Sequence, residues 1–308
     1  MLIPETGPLN DMNFLAFEVN VLSRTDFDSM AMPFADRPDL GMAMKRRGKR
    51  VLANSMVKSQ WNANLATIQN NTERLSEADL QIVLEDAYVP GYKLVIPTLQ
   101  KYFSETDAWW FDNVRRNLDR IESPYIFAQA SMLAMDVGDY VLSFDESTRE
   151  LRRPLSAVYR RLWKNLPSPF NNSQNNSCQN KAANEFLAES FADLLFLRIP
   201  QIGAAQTHSA NWREDWLNGA NKLQAGTSET EGGTFGSMPA SKSQRIRSLE
   251  EMLTIASNMR HWAIAHSEGG ALTTQDIIDV VTKLRRVDKV YTKDFSELTG
   301  IKASIITA

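Results

Sequence analysis

Apolar residues recur at three- and four-residue spacing along most of the chain, the period of amphipathic helices. The clearest case is Leu155, Val158, Tyr159, Leu162 and Trp163, at i, i+3, i+4, i+7 and i+8 behind Pro154. Met12, Leu15, Val19 and Leu22 predict a first helix, capped by Asn10 or Asp11. A long helix is expected from about Met42 to Asn70, with Leu52, Met56, Leu65 and Ile68 on one stripe and Gly48 as a weak point. Ser76 and Asp79 form a capping box for the next helix. Asp107 and Ser123-Pro124 open two more. Ala182 to Leu197 reads as a strongly apolar helix, and Ser209 caps a short one holding Trp212 and Trp216. From Ser243 to Val290 the pattern predicts a long helix reaching His266, a Gly269-Gly270 stop, and a second helix from Thr274. Strand signals are nearly absent, Lys93 to Ile96 being one short run. The expected class is therefore all-α, a multi-helix bundle of roughly ten helices in one or two lobes.

Two polar, low-complexity stretches read as linkers, Pro167–Lys181 and Ala225–Ser241. They divide the chain into an N-terminal helical region (1–166), a helical connector (182–224) and a C-terminal helical region (241–308). Residues 1–9 read as an extended arm. The β-branched tail, Gly300–Ala308, is expected to dock on its own domain or on a neighbour.

Composition narrows the function classes. With 308 residues and 43% hydrophobic content the chain can bury a substantial core. Its net charge of −3 means that nucleic-acid binding must use a local basic patch. The Lys45, Arg46, Arg47, Lys49 and Arg50 cluster is the candidate, holding phosphates by charge. A single cysteine, Cys178, excludes an intrachain disulfide and suits a reducing compartment. No basic leader with an apolar core and no run of about 18 apolar residues is seen, so a cytoplasmic protein without a membrane partner is expected.

Cofactor and metal motifs fail on spacing. Gly48-Lys49 lacks both the upstream glycine spacing and the Ser/Thr of a phosphate loop. Glu185, Glu189 and Asp193 form a carboxylate column with no Glu-x-x-His partner, the pattern of a solvated face. His261 and His266, five residues apart, would diverge by about 140° on a helix and cannot share a metal. No metal and no cofactor are expected.

Arg260-His261-x4-His266 resembles the Arg-polar-x4-His pattern of the HEPN superfamily, over about Ser243 to Leu298. The resemblance implies an all-helical, metal-independent endoribonuclease or its inactive relative, from a toxin–antitoxin or phage-defence setting, with RNA as its partner. It also implies that His266 is the acid/base, Arg260 the phosphate clamp and His261 the intervening polar residue. A histidine near pKa ~6.5 and a guanidinium fork suit that chemistry. On one straight helix Arg260 and His266 would stand roughly 120° and ~9 Å apart. A shared site then needs a helix break or a homodimer, which the resemblance also implies. The competing expectation is a non-enzymatic, self-assembling or nucleic-acid-binding structural protein, drawn from the apolar arms and the unmatched first two thirds of the chain.

Overall fold

Three of the stretches expected to be helical contain β-strands, and they change the fold class. The computed structural model describes residues 14–86, 93–200, 208–219, 241–268, 270–296 and 302–308. Residues 1–9, expected to form an extended arm, and most of the linker 225–241 lie outside these. The chain forms two compact units, one of residues 1–64, 172–205 and 229–308, the other of 65–171 and 206–228.

The first unit is built on a seven-stranded mixed sheet. Its strands are β1 (Ser29–Met32), β2 (Arg50–Asn54), β3 (Ser177–Gln179), β4 (Leu194–Arg198), β5 (His261–Ser267), β6 (Lys289–Asp294) and β7 (Lys302–Thr307). The order is β3-β2-β1-β4-β5-β7-β6. The first five are parallel, and β7 runs antiparallel between β5 and β6. The all-α expectation is thus overturned: this is an α/β protein.

Helices cover the sheet. Alternate strand residues Ala31, Leu52, Leu195, Leu197, Trp262, Ile264 and Ile306 pack with α8 (Ala183–Glu189), α10 (Lys242–Ile255) and α11 (Thr274–Leu284). Met30, Met32, Val51, Phe196, Ala263 and Ile305 are buried on the other side of the pleat, where α1 (Leu15–Leu22) and α2 (Asp39–Arg46) pack together. Burial on both faces explains why the central strands are continuous apolar runs rather than alternating ones. Leu194-Leu195-Phe196-Leu197 and Trp262-Ala263-Ile264-Ala265 are such runs, and short apolar runs fit a buried helix equally well.

The expected Met42–Asn70 helix is broken by backbone chemistry. Gly48 adopts φ +80°. The Gly48 amide donates to the Lys45 carbonyl (3.0 Å) and the Lys49 amide to the Met44 carbonyl (3.1 Å). This is a Schellman C-cap, which ends α2 and turns the chain into β2. Helix α3 (Lys58–Asn64) follows, then a π-helical turn at Leu65–Gln69. In the same way Ala182–Leu197 divides into α8 and β4, and Ser243–His266 into α10 and β5. The capping box at α10 is formed by Ser241 and Gln244, and that at α11 by Thr273 and Asp276. The apolar tail is β7, hydrogen-bonded to β5 and β6 of its own sheet, rather than an arm.

The second unit is helical. It comprises α4 (Glu77–Val83), α5 (Glu105–Leu118), α6 (Pro124–Leu142), α7 (Leu155–Lys164) and α9 (His208–Asn218), with 3-10 turns at Pro97–Lys101 and Arg149–Leu151. Its core gathers Phe103, Phe111, Tyr159, Trp212 and Trp216. A Cβ added at Gly138 of α6 would lie 2.1 Å from the Trp212 ring, so only glycine allows this approach. The chain enters this unit after β2 and α3, and again after β4.

Alanine at Gly48 meets open space and pays only for the left-handed backbone. Gly48→Ala is expected to lower stability by ~1 kcal/mol, read as a lower urea midpoint with unchanged slope.

Candidate functional site

In open α/β sheets ligands bind outside the carboxyl ends of the strands, where the strand order reverses. Here that switch point lies between β1 and β4, because β1 connects outward to β2 while β4 lies on the opposite side, next to β5. The residues following β1 are Pro33-Phe34-Ala35-Asp36-Arg37-Pro38, and β4 ends at Arg198, before Ile199 and Pro200.

A charge cluster occupies this edge. Arg198 donates from Nε and Nη2 to Glu18 Oε1 (3.0 and 2.9 Å), and from Nη2 to Glu18 Oε2 at 2.8 Å. Its Nη1 pairs with Asp36. Glu18, on α1, is only 1% exposed. Burial opposes the charge on Arg198, but the Asp36 and Glu18 carboxylates outweigh it and hold the guanidinium above its ordinary pKa. One side chain thus joins β4, α1 and the loop after β1.

The surrounding polar groups are also committed to the fold. Asn54, at the carboxyl end of β2, donates to the carbonyls of Pro33 (3.0 Å) and Lys181 (3.1 Å) and accepts from the Lys181 amide (3.1 Å). Asn64 donates to the Ala35 carbonyl (2.6 Å). The Ala35 amide donates to the Asn54 carbonyl (2.7 Å). These bonds fix the loop after β1. It contains no glycine, and it carries Asp36, with Asp39 in the first turn of α2.

The residues singled out from sequence are placed elsewhere. Arg260 is exposed just before β5 and His266 lies near its carboxyl end, 6% exposed. Six residues of strand span about 20 Å, so within one chain the two do not share a cleft. Burial lowers the His266 pKa, partly opposed by Glu268 and Asp276. His261 is half-buried at the start of β5, its amide donating to the Asp193 carbonyl (2.9 Å). The Arg260 carbonyl accepts from Arg285 Nη1 (3.1 Å), whose guanidinium lies 3.7 Å from the Trp262 ring centre.

The basic cluster is dispersed by the turn at Gly48. Lys45 is fully buried and its pKa is lowered to about 8 by desolvation, partly offset by Cys178. Lys49 bonds the Phe27 carbonyl and pairs with Asp28 (3.7 Å). Arg50 donates to the Asn175 carbonyl (3.2 Å). Of the five, Arg46 and Arg47 are exposed. The carboxylate column also separates: Glu185 and Glu189 pair with Lys181, while Asp193 accepts from Ser29 and the Asp28 amide at the base of β1. Among the described residues no group of three His, Cys, Asp or Glu could hold a metal ion, and no helix is long and apolar enough to cross a membrane.

Sequence reasoning missed Glu18, Asp36 and Arg198. The available signal was Leu194–Leu197, an apolar tetrapeptide closed by Arg198 and, two residues on, Pro200, which fits a buried strand ending at a loop.

Two measurements test this electrostatic picture. Arg198→Met leaves Glu18 buried without its partner and is expected to cost ~3–5 kcal/mol, while Glu18→Gln in addition recovers much of that loss. For Lys45, the folded pKa lies below the unfolded one, so the folded state holds fewer protons between them. Wild-type stability should therefore rise relative to Lys45→Met as pH increases from about 8 to 10.5, the two limits set by the buried and ordinary lysine; parallel melting curves for the two proteins would contradict it. Compared with models of known protein families and with curated proteins, the chain has no match.

Proposed function

We propose that this is a non-catalytic protein built on a methyltransferase-type fold, acting by binding rather than by group transfer. The order β3-β2-β1-β4-β5-β7-β6 with β7 alone antiparallel resembles the sheet of methyltransferases that use S-adenosylmethionine. That is an analogy of fold, so function has to be argued from the site.

The residues at the switch point do not fit such a cofactor. Close approach of a nucleoside cofactor to the first loop depends on glycine, and here the loop is Pro-Phe-Ala-Asp-Arg-Pro. An acidic side chain at the end of β2 would bond ribose hydroxyls. Asn54 stands there instead, buried and engaged with Pro33 and Lys181. The observation that supports the reading most is the Glu18–Arg198–Asp36 cluster, which places at the edge where a ligand would enter a guanidinium already paired with two carboxylates.

Calorimetric titration with S-adenosylmethionine up to millimolar concentration is expected to show no saturable heat, and no radiolabelled methyl group should pass to DNA or RNA. Saturable binding that Asp36→Ala weakens would overturn the proposal.

A further inference from the structure

We infer that the outer face of α7 is a docking surface for the phosphodiester backbone of a nucleic acid. This goes beyond the binding reading above and rests on it only in treating the protein as a binder.

Helix α7 is held rigidly from within. Tyr159 is fully buried and its hydroxyl donates to the Ala130 carbonyl (2.9 Å). Trp163 Nε1 donates to the Leu75 carbonyl (2.8 Å). Leu155, Val158 and Leu162 pack on the same core. This leaves Ala157, Arg160, Arg161 and Lys164 exposed, at i, i+3, i+4 and i+7. Three cations therefore share one stripe about 100° wide. The helix contains no acidic residue.

Among the described residues no carboxylate pairs with Arg160, Arg161 or Lys164. Four other arginines of the unit are paired: Arg115 with Asp119, Arg120 with Glu85, Arg152 with Asp107 and Arg213 with Asp139. Like charges three and four residues apart disfavour a helix by a few tenths of a kcal/mol per pair. The C-terminal dipole offsets part of this for Arg161 and Lys164.

The chemistry of the stripe selects its partner. Arginine forks bind phosphate oxygens in pairs, and neighbouring carriers stand ~5–6 Å apart at Cβ. A membrane-surface helix would present large apolar side chains beside its cations. Here the apolar residues of α7 face the core, and the only apolar member of the outer stripe is Ala157. Because the whole chain carries a net charge of −3, attraction to a polyanion must be local.

The test uses the full chain and a fluorescent 30-mer, as duplex DNA and as single-stranded RNA, titrated between 50 and 200 mM salt. Wild type is expected to bind at least one with affinity that falls steeply with salt. The variant Arg160→Gln/Arg161→Gln/Lys164→Gln should bind ~10–100-fold more weakly, with the log–log salt slope shallower by about 2–3. Its melting temperature should match wild type, since the three side chains point outward. Arg46→Gln/Arg47→Gln, an exposed pair in the other unit, should bind as wild type does. The inference is overturned if wild type binds neither probe at 50 mM salt. It is also overturned if the triple variant binds as wild type does, which would place nucleic-acid binding elsewhere on the chain. Tighter retention on phosphatidylserine vesicles than on either nucleic acid, lost in the triple variant, would reassign the face to lipid and overturn it too. None of these outcomes depends on cofactor binding, so the fate of the non-catalytic reading is decided separately.

Discussion

Burying a carboxylate is costly unless a cation is buried against it, and Glu18 has Arg198. That requirement joins a helix near the start of the described chain to the end of a strand 180 residues later. Arg198 reaches Asp36 as well, so the loop after β1 is anchored by the same group. The interaction draws α1, β1 and β4 to one point at the carboxyl edge of the sheet. It also sets the chemistry of that edge: one guanidinium held between two carboxylates, one buried and one open to solvent.

Local backbone signals were legible in the sequence. The capping pair Ser76–Asp79 and the Ser123-Pro124 start appear where the pattern placed them. The inner face of α7 packs as its spacing requires. The strands were not legible, for a physical reason. A strand buried on both faces has no alternation to distinguish it from a buried helix. Neither glycine nor proline separates α8 from β4 or α10 from β5, and those strands exist because neighbouring strands pair with them. The Arg260 and His266 pattern presumes a helix; on β5 the same six-residue interval spans the whole strand.

The two basic clusters show how far charge spacing depends on the backbone beneath it. Lys45 to Arg50 is dense in sequence, but the left-handed glycine within it sends its members to a core, a carbonyl, an ion pair and solvent. Arg160, Arg161 and Lys164 are fewer, yet an unbroken helix keeps them on one side.

The position of β7 has a consequence for how the chain acquires its structure. Strand β5 pairs with β4 on one side and β7 on the other, and among the described residues β6 is joined to the sheet only through β7. Until residues 302–307 are in place, β5 presents an unpaired edge and β6 has no neighbour. The parallel pairs beside it also span long intervals, as between Met30 and Leu194, so their closure is slow on loop-entropy grounds. The exposed edge of an almost complete sheet is then the species most open to pairing with another copy of itself. Lysines at 289 and 293 on β6 give the finished outer edge a charge that discourages such pairing.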